Sequence, residues 1–264
     1  MKRIAIITGA SSGMGREFAL TALQHVEVDE LWLIARRKDR LEEVRSKVEN
    51  QKSKVDVVCL DLDLSLPESV AAIGERLKVE SAVKIELLIN AAGYGKFQAV
   101  QDITPQMADN MLALNCRTLM QMCYTCLPYM SRGSKILNIA SVAAFQPVPY
   151  LTEYAATKAF VLSFSRGLWS ELRKDGITVT ALCPYWTRTE FFEVAKREVQ
   201  EQSPIHYYNA MYEAKDLVAR GWRDLLKGRD ISTYGFIARA QVALIKVLPH
   251  RLVMWIWRKQ QGIK

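Results

Sequence analysis

Short apolar runs recur along the chain, each followed by a longer stretch in which apolar and polar residues alternate at helical spacing. The runs "RIAIIT" (3–8), "LWLIA" (31–35), "VDVVCLDL" (55–62), "IELLINAAG" (85–93), "SKILNIAS" (134–141) and "ITVTALCP" (177–184) predict six strands. Helices are expected over 13–25, 39–51, 67–79, about 104–130 and 154–176. The third opens on Pro67 and Glu68, both favoured in a first turn, and the last is stopped by Gly176.

Strands that alternate with helices imply an α/β fold, a doubly wound parallel sheet with helices on both faces. The strands are nearly continuous in apolar residues, as burial on both faces requires. Ligands of such sheets sit at the carboxyl ends of the strands. Gly9, Arg36, Asp63, Asn90, Ser141 and Pro184 all follow strand ends. No repeat, linker or low-complexity segment interrupts the pattern. The 264 residues are therefore expected to form one domain, with 190–264 as substrate cover and C-terminal extension.

Half of the residues are hydrophobic and 24% are charged, which suits a large core. The formal net charge of +8 favours anionic ligands or surfaces, such as phosphorylated cofactors or anionic membranes. No helix-turn-helix cue, zinc spacing or aromatic-basic RNA motif is present, so nucleic acid is not an expected partner. The three His form no metal-ligand grouping, and no metal is expected. The five Cys lack the spacing of a disulfide framework. Cys123 and Cys126 form a CxxC without a second pair, inside the apolar run "LMQMCYTCL", and read as core residues one helical turn apart. A reducing, cytoplasmic location fits. The N-terminal "MKRIAIITGA" is too short in its apolar part for a signal peptide, and no stretch has 18 uncharged apolar residues.

"TGASSGMG" (8–15) lies between a strand and a helix. Gly9 permits a tight turn, Gly13 lets backbone approach a pyrophosphate, and Gly15 lets the helix pack close to the sheet. The N–H groups of the loop through Ser11, Ser12 and Met14 then face the anion. Where an NAD site usually carries an acid after the second strand, this chain has Ala35, Arg36 and Arg37. Guanidinium matches a phosphate through paired hydrogen bonds, so Arg36, with Ser12 as helper, points to the 2′-phosphate of NADP(H). Lys38 and Arg40 read as a solvated basic helix start.

In "EYAATKAF" (153–160) a phenol and an amine, Tyr154 and Lys158, share one helix face. With the cradle, "NAAG" (90–93), "PYWTRT" (184–189) and the ordered set Asn115, Ser141, Tyr154 and Lys158, the chain resembles the short-chain dehydrogenase/reductase family from about residue 3 to 192. The resemblance implies a Rossmann-type sheet and reversible hydride transfer between NADP(H) and a carbonyl or alcohol. It implies Tyr154 as general acid or base, with a pKa lowered by Lys158. Lys158 also holds the nicotinamide ribose, Ser141 orients the substrate oxygen, and Asn115 anchors a water linking Lys158 to solvent. Asp63, or Asp61 in its place, would hold the adenine edge; Asn90, Ala91 and Gly93 the ribose side; Pro184, Thr187 and Thr189 the nicotinamide end. Taken singly, Ser141 reads equally as a helix cap, Asn115 as a polar helix kink and Tyr154 with Lys158 as a surface pair. Tyr185 departs from the family pattern, which has Gly after Pro184.

Residues 190–214 carry Phe191, Phe192, His206, Tyr207, Tyr208, Met211 and Tyr212. With Tyr94, Phe97, Phe145 and Val148 they suit a large apolar cleft for a steroid, a long acyl chain or an aromatic ketone. Packing among themselves is the equal alternative. The C-terminal "VALIKVLPHRLVMWIWRKQQGIK" suits either an anionic membrane surface or, the favoured reading, a cleft cover or subunit contact. The expected activity is that of an NADPH-dependent reductase of a bulky ketone such as a steroid, acting as a homo-oligomer. A 3-oxoacyl (fatty acyl) reductase and a non-catalytic NADP-sensing scaffold are the alternatives.

Overall fold

The computed structural model describes residues 1–51, 54–80, 82–196 and 203–263. Six of its strands fall on the six apolar runs: β1 (Lys2–Thr8), β2 (Glu30–Ala35), β3 (Asp56–Asp61), β4 (Val83–Asn90), β5 (Lys135–Ile139) and β6 (Thr178–Leu182). Between and after them run α1 (Gly13–Thr21), α2 (Lys38–Glu49), α3 (Pro67–Val79), α4 (Pro105–Leu112), α5 (Leu119–Cys126) and α6 (Thr152–Leu172). The C-terminal third adds β7 (Thr187–Arg188), α7 (Phe191–Lys196), β8 (Tyr212–Glu213), α8 (Ala214–Leu226), β9 (Ile231–Ser232), α9 (Phe236–Ile245) and α10 (His250–Gln260).

The main sheet is parallel and ordered β3-β2-β1-β4-β5-β6-β9. The chain order reverses between β1 and β4, which opens a crevice at the carboxyl edge. Side-chain alternation sorts each strand between two layers. Ile4 and Ile6 of β1 face a layer with Val70 and Ile73 of α3, Met122 of α5 and Val161 of α6. Ala5 and Ile7 face Phe18 of α1, Leu41 and Val44 of α2, and Trp222 of α8. The doubly wound Rossmann-type α/β expectation is thus met.

Three differences have local causes. The helical region expected over 104–130 runs unbroken from Pro105 to Cys126, but over Ala113–Thr118 it widens to a π-helical segment that divides α4 from α5. The helix expected over 154–176 ends at Leu172, continues as a 3-10 turn, and stops at Gly176 in the left-handed region at φ 74°. The seventh strand, β9, is two residues long and borrows its place from β6 rather than from any apolar run. All five cysteines are free, and Cys123 and Cys126 are fully buried core residues, with the Cys123 thiol pushed up to about 12 by burial.

Trp222 locks α8 to α1. Its ring is 1% exposed, meets Phe18 edge-on at 5.4 Å, and donates from Nε1 to Thr21 Oγ1 at 2.9 Å. Trp222→Ala should cost about 3 to 5 kcal/mol of unfolding free energy, read as a lower urea midpoint at unchanged slope. A loss within about 0.5 kcal/mol, the range of surface substitutions, would place the ring outside the core.

Candidate active site

One cleft of about 850 Å³ follows the carboxyl edge of the sheet. It runs past Arg36, Arg37 and Arg40, over the glycine loop, to Ser141, Tyr154 and Lys158, and on to an apolar wall. Every proposed site residue lines it except Asp61, Asn90 and Asn115.

The loop between β1 and α1 is built for close approach. Gly9 has φ +67°, and a Cβ on it would lie 2.7 Å from the Ala92 nitrogen. A Cβ on Gly15 would run into the Gly9 carbonyl. Ser11, Ser12, Gly13 and Met14 line the cleft at the start of α1, and Ala91 and Gly93 face them from the end of β4. The bare backbone, the helix start and the flanking guanidinium groups fit a dinucleotide.

At the adenine end the sequence expectation divides. Asp63 lines the cleft, accepts from the Ser65 backbone N–H at 3.0 Å and from the Ser65 hydroxyl at 2.7 Å, and approaches Arg36 at 3.9 Å. Asp61 is exposed on the last residue of β3 and does not line the cleft, so it is no substitute. Arg36 is largely free, with its side chain 73% exposed. Arg37 is held, at 2.8 Å from Glu190 and 3.3 Å from Ser11 Oγ. Arg40, expected to be merely solvated, lines the cleft as well.

Asn90 is a correction. Its side chain turns into the core, donating to Asn138 Oδ1 at 2.9 Å and to Cys123 Sγ at 3.5 Å, so it supports the sheet edge and does not line the ribose side. Asn115 lies behind the cleft rather than in it. Its amide accepts from Tyr94 N at 3.0 Å and donates to Tyr94 O at 2.8 Å and Thr157 Oγ1 at 3.0 Å. It sits in the π-helical segment, where an extra residue per turn re-aims a side chain. Asn115 therefore ties the loop after β4 to α6.

Tyr154 and Lys158 come from the first two turns of α6. Lys158 is 5% exposed, and its Nζ donates to the Ile139 carbonyl at 2.7 Å and lies 5.7 Å from the Tyr154 ring centre. Ser141 hydrogen-bonds with the Tyr154 phenol, and its Oγ also accepts from Ala143 N at 3.1 Å, so it both caps a 3-10 turn and reaches the reacting group. Burial pushes Tyr154 up to about 12, opposed by the Ser141 hydrogen bond, and burial pushes Lys158 down to about 8. Burial is thus the largest influence on both groups, and Ser141 rather than Lys158 is the neighbour that lowers the phenol.

The wall beyond them is formed by Tyr94, Phe97, Val148, Phe191 and Phe192, as expected, together with Trp186, Gln241 and Trp257. Phe145, His206, Tyr207, Tyr208, Met211 and Tyr212 do not line the cleft. Tyr208 packs instead on Trp186 and Phe192. Residues 197–202 of the expected aromatic segment lie outside the described residues. Thr187 bonds to the Tyr185 carbonyl at 2.8 Å, and Thr189 stands beside Gly13, facing the loop. Pro184 lies at the cleft floor.

Two functional positions had little signal in the sequence. Gly95 must lack a side chain because a Cβ there would lie 2.7 Å from Tyr154 Cδ2. Trp257 reaches the cleft from α10 and donates to the Pro149 carbonyl at 3.0 Å. Trp186 stood inside the quoted "PYWTRT", so its position was legible though its role was not. Among the described residues no group of three or more His, Cys, Asp or Glu is placed to hold a metal ion.

The short chain dehydrogenase family model matches residues 3–200. Very-long-chain 3-oxoacyl-CoA reductase-B of Danio rerio is 31% identical over 212 residues, covering 78% of this chain and 66% of that protein. The Homo sapiens very-long-chain 3-oxoacyl-CoA reductase is 30% identical over 224 residues, covering 82% and 69%. The chain thus spans about two thirds of the length of these curated relatives. Among solved structures, a short-chain dehydrogenase from Sphingobium yanoikuyae in complex with NADPH superposes with a TM-score of 0.76 at 29% identity, over 94% of this chain and 97% of that one. A bulky-bulky ketone specific alcohol dehydrogenase from Comamonas testosteroni follows at 0.71 and 25%, over 94% and 95%. With the cradle, the phenol and the amine in the order and places described, the chain belongs to the short-chain dehydrogenase/reductase family, oxidoreductases that act on CH–OH groups with a nicotinamide cofactor.

Proposed function

We propose that the protein is an NADPH-dependent reductase of a bulky apolar ketone such as a steroid. The observation that carries this reading is one continuous cleft with the exposed Arg36 at one end and Ser141, Tyr154 and Lys158 against an aromatic wall at the other. Bound NADPH supplies the hydride. Tyr154, fully protonated at neutral pH, donates its proton to the carbonyl oxygen as charge develops there. The Ser141 hydroxyl orients that oxygen, and Lys158 Nζ stands over the Tyr154 ring, 5.7 Å from its centre. Gln146, 9% exposed in the wall, has a carbonyl oxygen with no hydrogen-bond partner among the described residues and offers an acceptor to a substrate hydroxyl.

A 3-oxoacyl reductase is the second reading, favoured by the names of the curated relatives. A panel of steroids, acyl thioesters and small diketones separates the two. As part of the same proposal, the enzyme is cytoplasmic and a homo-oligomer. Tyr124 and Phe160, 55% and 38% exposed beside the partly buried Phe164, offer an aromatic face for a second copy.

Tyr154→Phe should lower kcat/KM for ketone reduction at least about 100-fold, the scale of a lost general acid, while NADPH binding by fluorescence stays within about twofold. Turnover undiminished by the loss of the hydroxyl would end the chemical reading. Arg36→Ala should weaken NADPH at least about tenfold, as expected for a lost charge-assisted phosphate contact, and leave NADH nearly unchanged. Equal losses for both cofactors would remove the 2′-phosphate assignment.

Lys158 also makes stability depend on pH. Its folded pKa of about 8 lies below the usual 10.5 of a lysine, so between these values the unfolded chain holds a proton that the folded chain has released. Stability from this group is lowest below pH 8 and rises through that window. Relative to Lys158→Met, the wild type should gain on the order of 2 kcal/mol in urea titrations between about pH 8 and 9.5. A difference that is flat with pH would show that the amine is not desolvated.

A further inference from the structure

The C-terminal helices carry a surface that the chemistry leaves unused. Residues 231–264 contain three Arg, three Lys and no Asp or Glu, a formal +6 against +8 for the whole chain. Of the fifteen exposed large apolar side chains among the described residues, six fall within 236–255: Phe236, Ile237, Leu244, Val247, Leu252 and Trp255. Phe236 is 85% exposed and Trp255 58%.

The two characters are arranged in stripes. Ile237, Ala240 and Leu244 of α9, with Val247 just beyond it, follow 3- and 4-residue steps and form an apolar stripe. Arg239, Val242, Ala243 and Lys246 follow a second stripe, which lines a groove of about 230 Å³ shared with Arg220, Arg229 and Thr233. Ala238 and Ile245 are the buried side of α9. At 100° per residue the apolar and cationic stripes flank the outward face, and Phe236 falls between them. In the groove, the buried Asp224 engages Arg220 at 2.6 Å and Arg229 at 3.3 Å, whereas Arg239 and Lys246 have no acidic partner among the described residues. On α10, the exposed Leu252 and Trp255 are one turn apart and flanked by Arg251, Arg258 and Lys259.

We propose that α9 and α10 dock this protein on the surface of an anionic lipid bilayer, with Phe236 and Trp255 entering the interface and the groove cations meeting lipid phosphates. Basic residues near such a surface are each attracted by it, and adjacent aromatic and aliphatic side chains anchor the contact. A second copy is the poorer occupant, because an isologous contact across this face would oppose two such cationic surfaces. The contact is peripheral: among the described residues no helix is long and apolar enough to cross a membrane. The same helices contribute Gln241 and Trp257 to the substrate wall, so docking would set that wall close to the lipid from which an apolar ketone partitions. The docking itself does not rest on the ketone reading.

Co-sedimentation of the full chain with phosphatidylcholine vesicles, and with vesicles containing phosphatidylglycerol, tests this. Partition should be at least about tenfold higher on the anionic vesicles, fall with added salt, and persist in millimolar inorganic phosphate. Phe236→Ser with Val247→Ser, and separately Arg239→Glu with Lys246→Glu, should each reduce partition about tenfold or more. NADPH binding by fluorescence, unchanged in both variants, controls for folding and is independent of which ketone is reduced. Wild type that stays in the supernatant, partition equal on both vesicle types, or full partition in either variant overturns the proposal. So does a variant that elutes as a smaller oligomer, which would make this face a subunit contact.

Discussion

A primary amine held almost out of water at the edge of a parallel sheet is the constraint around which this site is arranged. Lys158 reaches the carbonyl of Ile139, the last residue of β5, at 2.7 Å, and desolvation drags its pKa down to about 8. Removing a cation from water is expensive unless it is well partnered. The neighbours are shaped by that requirement. A Cβ on Gly93 would lie 2.9 Å from Asn115 Oδ1 and 3.5 Å from Lys158 Nζ, so the loop after β4 passes the amine as bare backbone. Asn115 fixes that loop through both hydrogen bonds to Tyr94 and fixes α6 through Thr157. Thr157 in turn donates to the Tyr154 carbonyl at 2.8 Å. One amide thus sets the distance between the phenol, the amine and the cofactor loop.

The same arrangement explains why the phenol stays protonated. The sequence places Tyr154 and Lys158 on one face of a helix, and from spacing alone the nearest consequence is an ion-assisted phenolate. The structure adds the solvent. Lys158 donates one hydrogen bond to the Ile139 carbonyl, burial raises the phenol, and Ser141 is the group that lowers it. A phenol raised to about 12 by burial holds its proton at neutral pH.

Much of this was legible beforehand, for identifiable reasons. Strands buried on both faces, such as Ile4 to Ile7, write themselves as unbroken apolar runs, and glycine loops betray backbone approach. What escaped was set by tertiary partners. β9 exists because β6 has a free edge, not because Ile231 and Ser232 favour a strand. Asn90 and Asp61 sit at strand ends, where period-2 alternation decides between the cleft, the core and solvent, and a shift of one residue at the edge reverses the answer. Gly95 looks like any loop glycine until Tyr154 is placed against it. Several aromatic residues proposed for the cleft are used elsewhere: Tyr208 packs on Trp186 and Phe192, Tyr212 on Tyr185 and Tyr234, and Tyr207 is exposed.

Tyr185, the departure from the family pattern, links the chemistry to the outer helices. Its hydroxyl lies 2.5 Å from Asn209 Oδ1 and 2.9 Å from Gln241 Oε1. Since one hydroxyl carries one proton, at least one of the two amides presents its NH2 group to the oxygen. Glycine at this position would lose the side-chain hydrogen bond from this loop to α9, whereas the phenol spans the distance to Gln241 in the cleft wall. Gln261 does the same for the opposite side, accepting from His206 N and Tyr207 N and donating to Tyr207 O, so that α10 is stitched to the segment before β8. The wall of the substrate cleft is therefore an assembly of C-terminal elements fastened to one another by polar side chains at its rim. Gln241 and Trp257 keep their places in that wall through Tyr185 on one side and the Pro149 carbonyl on the other.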